Sequence, residues 1–306
     1  MTLQLVWYTD PHNIWCWGYE PTIRRLEVLY PDTVEIEVRQ GGLFEDFSPV
    51  REQWARMSGG RWKDSVGAFF EAVAAQHRMP MNTEAMLASV DDFNSTWPAC
   101  IAAKAAGLQG RDAGRAYLRR LREAWTLEGR GIHARSVQEA IASESGLNID
   151  SFRSALDDGS AERAFQADRT ESQELGITGF PTFVLHQGPE SVRTDGWRPW
   201  EAIDDFLREL DPHIEPRPLA ASETAVRELL RRYGRLATPE VAAVLGATDD
   251  DAEILLEELE GSGSVRRRAV GNGLIWESKD RAGSRHLAEA NAPPGKHAFG
   301  ATEHEP

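Results

Sequence analysis

The chain has 306 residues, 41% of them hydrophobic, which is enough for one large domain or two ordinary ones. Its only cysteines, Cys16 and Cys100, exclude a disulfide-stapled miniprotein and a cysteine-based zinc or iron–sulfur site, and we expect no metal and no cofactor. The formal charge of −15 argues against a general phosphate-binding surface.

The sequence carries no sign of membrane association. No apolar run approaches the ~20 residues that a transmembrane helix needs. The first eight residues lack the basic and long apolar regions of a signal peptide. We therefore expect no membrane partner and a cytoplasmic location.

The first 40 residues predict a β-α-β unit. Apolar and aromatic residues alternate over residues 3–8 and stop at a Thr-Asp-Pro turn, which predicts a strand. Apolar residues at helical spacing follow Asn13 and end before Pro31. A second strictly alternating run covers residues 34–38. Such a unit favours two parallel strands joined by a right-handed crossover.

Helical spacing then dominates from about residue 50 to 175, and strand patterns return at 182–185 and 191–193. A further helix begins near Pro199. A helical block thus interrupts a β-α-β…β-β-α frame. The order predicts an α/β, thioredoxin-like fold over residues 1–210 with a large helical insertion at about 50–165.

A second, smaller unit follows a Pro-rich linker at residues 211–221. Apolar residues at helical spacing predict three short helices between residues 222 and 260, and a turn at Gly271-Asn272-Gly273 predicts a hairpin. This pattern predicts a winged-helix-like domain over 222–277. Residues 278–306 are poor in large apolar side chains, and we expect a disordered tail.

The most informative stretch lies just after the first strand and reads Asn13-Ile14-Trp15-Cys16. Redox proteins of the thioredoxin fold carry Cys-x-x-Cys at this place. The first thiol lies at a helix N-terminus, which favours its thiolate, and the second thiol resolves the mixed disulfide. Here the second cysteine is present as Cys16, and Asn13 stands at the position of the attacking thiol.

Several motifs occur in the order and spacing of one known family. They are Asp10-Pro11 before Cys16-Trp17, Tyr19-Glu20-Pro21, Gly41-Gly42-Leu43, Asn94-Ser95-Thr96-Trp97-Pro98-Ala99, Glu128-Gly129-Arg130 and Leu175-Gly176-Ile177-Thr178-Gly179-Phe180-Pro181-Thr182-Phe183. With them the first 210 residues resemble the DsbA-like family, especially the branch of FrnE-like oxidoreductases and SpxH/YjbH protease adaptors. The resemblance implies that Pro181 is a cis proline facing the site and that the backbone of Phe180 contacts an extended substrate.

Asn13 has two interpretations. Asn is a strong helix N-cap, so the site can have decayed, with Asn13 only capping the helix. Alternatively, the pocket still binds a peptide or a thiol through hydrogen bonds of Asn13. For Cys16 we favour a buried structural thiol over a residual catalytic one. A disulfide between Cys16 and Cys100 stays open, since it requires Cα atoms within ~7 Å.

Other candidate site residues carry weaker signals. His12 could line the pocket or act as a base, although a lone loop histidine is more often solvated. Trp15, Trp17 and Trp97 are expected to wall the pocket, to pack in the core, or both. Cys16 and His133 could suggest a cysteine hydrolase, but no motif in the sequence indicates a residue that would orient the histidine.

The charge of the third helix of the C-terminal unit indicates whether the partner is DNA or protein. In a winged helix it would enter the DNA major groove, but here it carries seven acids and no basic residue. The three arginines at 266–268 cannot offset these acids, so nucleic acid is an unlikely partner. We favour a protein-interaction module, which could also form a homodimer.

Three functional hypotheses follow. The first is a thiol–disulfide oxidoreductase-like protein with an altered site, acting on protein or peptide thiols through Cys16 with Pro181 and Phe180. The second is a non-catalytic adaptor that binds client proteins. The third, with the least support, is a redox-linked DNA-binding regulator.

Overall fold

The computed structural model describes residues 2–279. Residues 280–306, most of the predicted tail, lie outside the described part. The chain forms a four-stranded sheet with helices on both sides, followed by a small unit with its own three-stranded sheet. No helix among the described residues is long and apolar enough to cross a membrane.

The first sheet has the strand order β2-β1-β3-β4. Its strands are β1 (Leu3–Thr9), β2 (Val34–Gln40), β3 (Thr182–Gln187) and β4 (Glu190–Asp195). Strands β1 and β2 are parallel, whereas β3 runs antiparallel to both β1 and β4. The predicted β-α-β opening and the two later strands are therefore confirmed.

The helices between and around these strands are α1 (Ile14–Trp17), α2 (Glu20–Leu29), α3 (Ser48–Met57), α4 (Trp62–His77), α5 (Thr83–Ala88), α6 (Trp97–Gly107), α7 (Arg111–Thr126), α8 (Arg135–Glu144), α9 (Ile149–Asp157), α10 (Ser160–Glu174) and α11 (Trp200–Arg208). The helix predicted after Asn13 is split into α1 and α2. Helices α3 to α9 lie within the predicted insertion.

Two apolar cores flank the site. Residues of β1, β2, β3, α2 and α11 form the core of the sheet, together with Cys16 on α1. The inserted helices form a larger core that includes Trp17 on α1. Helix α1 therefore lies between the sheet and the insertion, and its orientation is fixed from both sides.

The C-terminal unit contains α12 (Glu223–Tyr233), β5 (Arg235–Ala237), α13 (Thr238–Leu245), α14 (Asp249–Gly261), β6 (Val265–Val270) and β7 (Gly273–Ser278). The three helices and the hairpin are found where the sequence predicts them. Strand β5 is additional and pairs with β7, which gives the order β5-β7-β6. Three residues are too short to produce a strand pattern in the sequence.

The C-terminal unit packs closely against the rest of the chain. Helix α13 lies on α2, and the Glu240 carboxylate at its start accepts hydrogen bonds from Arg24 Nε (3.3 Å) and Arg119 Nη2 (2.8 Å). At the hairpin tip, Asn272 Oδ1 accepts from the Met81 N–H at 2.7 Å. The unit is thus held by α13 and by the hairpin tip, and Asp249 of α14 adds an ion pair with Arg78 at 2.9 Å.

Candidate functional site

The residues of the motif meet the cis-proline loop at the end of β1. Asn13 is the N-cap of α1, and the peptide bond between Phe180 and Pro181 is cis. The structure therefore brings Asn13, Cys16, Phe180 and Pro181 together, as the family resemblance implies. Local capping chemistry explains the start of the helix, because the Asn13 side chain accepts from the N–H groups of Trp15 (2.9 Å) and Cys16 (3.4 Å).

The Asn13 amide also closes the site. Its Nδ2 donates to the carbonyl oxygen of Phe180 at 2.8 Å. Both ends of the amide are therefore in use, the oxygen in the helix cap and the nitrogen on the cis-proline loop. Asn13 is buried, so the position that carries the attacking thiol in redox relatives is here a structural link.

Gly41 makes room for this arrangement. A Cβ at this position would lie 1.8 Å from Cζ of Phe180, so any larger residue would displace the ring. The Phe180 ring packs directly on the backbone after β2, which holds its carbonyl near Asn13. The sequence shows Gly41 only as part of a family motif, and its steric role depends on a contact 139 residues away along the chain.

Cys16 is a buried thiol. It has no exposed surface, and burial raises its pKa to about 11 despite the nearby positive charge of Arg122, which lowers it. Both cysteines are free, so the disulfide with Cys100 is absent from the structure. The placement agrees with the structural interpretation of Cys16.

Cys100 belongs to a second buried group, centred on Asp10. Its Sγ donates to Asp10 Oδ2 at 3.4 Å, and burial raises the pKa of Cys100 well above its usual value. Burial also raises the pKa of Asp10, although its carboxylate accepts the N–H groups of His12 (2.8 Å) and Leu43 (2.8 Å). Asp10 thus fixes the loop between β1 and α1, a role that the sequence analysis missed.

His12 is buried, and the expectation of a solvated loop histidine is wrong. Its ring lies 4.9 Å from Phe93 and 5.4 Å from Trp125 between ring centroids, and its nitrogens have no hydrogen-bond partner among the described residues. Burial lowers its pKa to about 3, so the imidazole is neutral near pH 7. His133 bonds Asp92 at 2.9 Å, and neither imidazole hydrogen-bonds Cys16.

The three tryptophans divide between the site and the core. Trp15 is half-buried beside Trp197, with ring centroids 6.2 Å apart, and lies at the rim of the site. Trp17 is fully buried and donates to the Pro80 carbonyl at 3.0 Å, so it belongs to the core. Trp97 packs on Phe165, with a centroid distance of 5.4 Å.

An ion-pair cluster lies beneath the site. The guanidinium of Arg122 bonds Glu20 Oε1 at 2.6 Å and the Thr9 hydroxyl at the end of β1. Burial would raise the pKa of Glu20, but the charges of Arg119, Arg122 and Arg24 outweigh it and lower that pKa to about 2. Glu20 occurs in the Tyr-Glu-Pro motif, which is the signal that could have identified it. Two of its partners, Arg119 and Arg122, come from the distant helix α7, and Arg24 lies one turn further along α2.

The sequence matches known proteins over most of its length. A thioredoxin family model (Thioredoxin_5) matches residues 7–197. The ClpXP adapter protein SpxH of Shouchella clausii is 29% identical over 278 residues, covering 90% of this chain and 88% of that protein.

Solved structures show the same fold. A putative protein disulfide isomerase from Nitrosomonas europaea superposes with a TM-score of 0.58 at 20% identity, over 70% of this chain and all of the other. A probable DsbA oxidoreductase from Streptomyces coelicolor gives 0.55 at 19% identity, over 72% and 94%. Since the family model covers well over half of the chain, the protein belongs to the thioredoxin family, with the DsbA-like form of the fold.

Proposed function

We propose that this protein is a non-catalytic adaptor that binds client proteins and presents them to a ClpXP protease. The observation that carries the proposal is the closed site, in which Asn13 bonds the Phe180 carbonyl and Cys16 is buried. The relatives named ClpXP adapter support it, because the similarity covers 90% of this chain and so includes residues of the C-terminal unit.

Thiol–disulfide exchange needs an accessible thiolate that attacks a disulfide sulfur. Asn13 has no thiol, and Cys16 has no exposed surface. With a pKa of about 11, only about one Cys16 thiol in ten thousand is ionised at pH 7. The residues of the motif are therefore placed to stabilise the fold rather than to react.

Peptide addition at the cis-proline loop, the route that the family resemblance implies, would compete with an existing hydrogen bond of Phe180. An extended peptide that adds to this loop would need the backbone of Phe180 as its partner. The Phe180 carbonyl already accepts from Asn13 at 2.8 Å. A client protein is thus expected to bind elsewhere on the surface.

The test combines capture with degradation. The full chain is immobilised, proteins retained from a lysate of the source cells are identified, and each is added to purified ClpXP and ATP with and without the chain. We expect at least one retained protein to be degraded faster when the chain is present, and equally fast with Cys16→Ser. If no retained protein shows this dependence, the proposal is wrong.

We also place the protein in the cytoplasm. Cys16 and Cys100 are both unpaired and buried, which is typical of proteins from reducing compartments. Fractionation of cells, with detection of the chain by antibody, tests this placement. Recovery from a membrane or secreted fraction would contradict it.

A second candidate function, thiol–disulfide exchange, is favoured by the cis peptide bond before Pro181, the feature that the family resemblance implies at a redox site. Insulin reduction by wild type, Cys16→Ser and Asn13→Cys tests it, with Asn13→Ser as a control because Ser also caps helices. We expect wild type and Cys16→Ser to be equally inactive and only Asn13→Cys to gain activity. Activity in wild type that is lost in Cys16→Ser would instead support the redox function.

A further inference from the structure

The strands of the C-terminal hairpin border a cavity rich in arginine. The cavity has a volume of about 380 Å³ and is lined by Glu128, Arg235, Arg266, Arg267, Arg268 and Glu277. Glu128 follows helix α7 of the insertion, whereas the other five residues belong to the C-terminal unit. The cavity therefore lies at the junction of the two parts of the chain.

Strand geometry separates the three consecutive arginines of β6. Successive side chains of a strand point to opposite faces, so Arg266 and Arg268 share one face and Arg267 lies on the other. Arg267 bonds the acidic helix α14, with Glu257 at 2.9 Å and Glu260 at 3.1 Å. Only one of the three arginines thus neutralises the acids of α14.

The face with Arg266 and Arg268 has a surplus of guanidinium groups. Arg266 bonds Glu277 at 2.8 Å, whereas Arg268 has no ion-pair partner among residues 2–279. The carboxylate of Glu128 is shared, since Arg120 (2.8 Å) and Arg235 (3.4 Å) both donate to it. The cavity can therefore accept further carboxylate oxygens without displacing an existing pair at Arg268.

We propose that this cavity binds an acidic segment of a partner protein, with Arg268 as its main contact; the identity of that partner as a client rests on the proposed adaptor function. A guanidinium offers paired N–H donors that match a carboxylate. The whole chain carries a net charge of −15, so a cavity lined by four arginines and two glutamates attracts an acidic segment that the average surface would repel. This difference in charge between the cavity and the whole chain makes the binding of an acidic segment specific for the cavity.

Nucleic acid fits the same surface less well. A duplex that reached Arg266 and Arg268 would extend past the cavity and bring its other phosphates against a chain whose net charge is −15. Continuous phosphate contacts along a backbone would meet this repulsion, whereas one or two carboxylates entering the cavity would not. A protein segment is therefore the occupant that the charges favour.

The test measures the fluorescence anisotropy of labelled octaglutamate, with octaglutamine and a labelled 20-base-pair DNA as comparison probes. The full-length proteins are wild type, Arg268→Glu and, as a control, Arg56→Glu on α3, whose arginine is also exposed and lies far away along the chain. We expect saturable binding of octaglutamate only, weakened about tenfold or more by Arg268→Glu and less than about twofold by Arg56→Glu. Arg268→Gln serves if the charge reversal unfolds the chain.

Equal binding of octaglutamate by wild type and Arg268→Glu, or no binding at all, would overturn the proposal. DNA binding that exceeds peptide binding and disappears in Arg268→Glu would also overturn it, in favour of a nucleic-acid site. The assay contains no protease, so it reports on the cavity even if the adaptor function fails. An adaptor that retains its effect with Arg268→Glu would show that clients bind at another surface.

Discussion

Replacing Glu240 with Gln is expected to loosen the C-terminal unit. The Glu240 carboxylate is fully buried and accepts from Arg119 Nη2 (2.8 Å), Arg24 Nε (3.3 Å) and its own Ala237 N–H (2.8 Å). Gln preserves the volume and still offers an oxygen to Ala237. The substitution therefore removes the negative charge between two buried arginines and leaves the packing of α13 on α2 unchanged.

The loss of stability depends on the partners that the two arginines keep. Removing one member of a buried ion pair typically costs about 3–5 kcal/mol, because the other charge is left uncompensated. Here Arg119 keeps Glu123 at 2.9 Å and Arg24 keeps Glu20 at 3.1 Å, so we expect the lower end, about 3 kcal/mol. For a protein of this size such a loss lowers the melting temperature by roughly 5–10 °C.

Two measurements check this prediction. Thermal unfolding followed by circular dichroism gives the shift, and limited proteolysis reports whether the chain is cut faster between the two parts as the unit detaches. Glu258→Gln is the control, because it removes the same charge from an exposed position on α14. If Glu240→Gln melts within about 2 °C of wild type and is cut no faster, the buried ion pairs do not hold the unit in place.

Three further predictions concern pH, thiols and the hairpin tip. The pKa of Glu20 lies below its usual value, so its ionised form contributes roughly 3 kcal/mol to the stability of the fold. This contribution is present above pH 4.5 and is lost as the pH falls towards 2. Urea unfolding at pH 6 and pH 3 checks this, and equal unfolding midpoints would contradict it. Cys16 and Cys100 should not react with Ellman's reagent in the native protein and should both react in denaturant; fast native labelling would mean that the site opens. Gly271→Ala should destabilise docking because its Cβ would lie 1.7 Å from the Met81 oxygen, and an unchanged melting temperature would show that the tip does not dock there.

The parts of the fold that the sequence predicts are those with local causes. The apolar and aromatic run over residues 3–8 identifies β1, which is buried on both faces, and the strict alternation over residues 34–38 identifies β2 beside it. The start of α1 follows from Asn13, because an N-cap bonds N–H groups only two and three residues later. Helices and the hairpin of the C-terminal unit follow in the same way from spacing and turn residues.

The site depends on contacts that no local pattern shows. Asn13 could take part in chemistry, bind a ligand or link two segments of the fold. Its hydrogen bond to the Phe180 carbonyl, 167 residues away along the chain, decides between these roles. His12 is buried because Phe93 and Trp125 of the insertion cover it. The Pro-rich linker is likewise part of the fold, since Ile214 is buried in the core of the sheet. Sequence spacing alone identifies these residues and leaves their surroundings open.

The buried ion pairs connect the fold to the proposed binding surface. Arginine cannot lose its proton in a protein, so buried Arg24 and Arg119 require charged carboxylates, and Glu240 supplies one from the C-terminal unit. This requirement favours one docked orientation over others that would leave those charges unpaired. The arginine cavity is assembled by the same docking, because Glu128 comes from the insertion and Arg268 from the hairpin. An acidic segment is therefore expected to bind the docked form better than a detached C-terminal unit, and its binding should in turn stabilise docking.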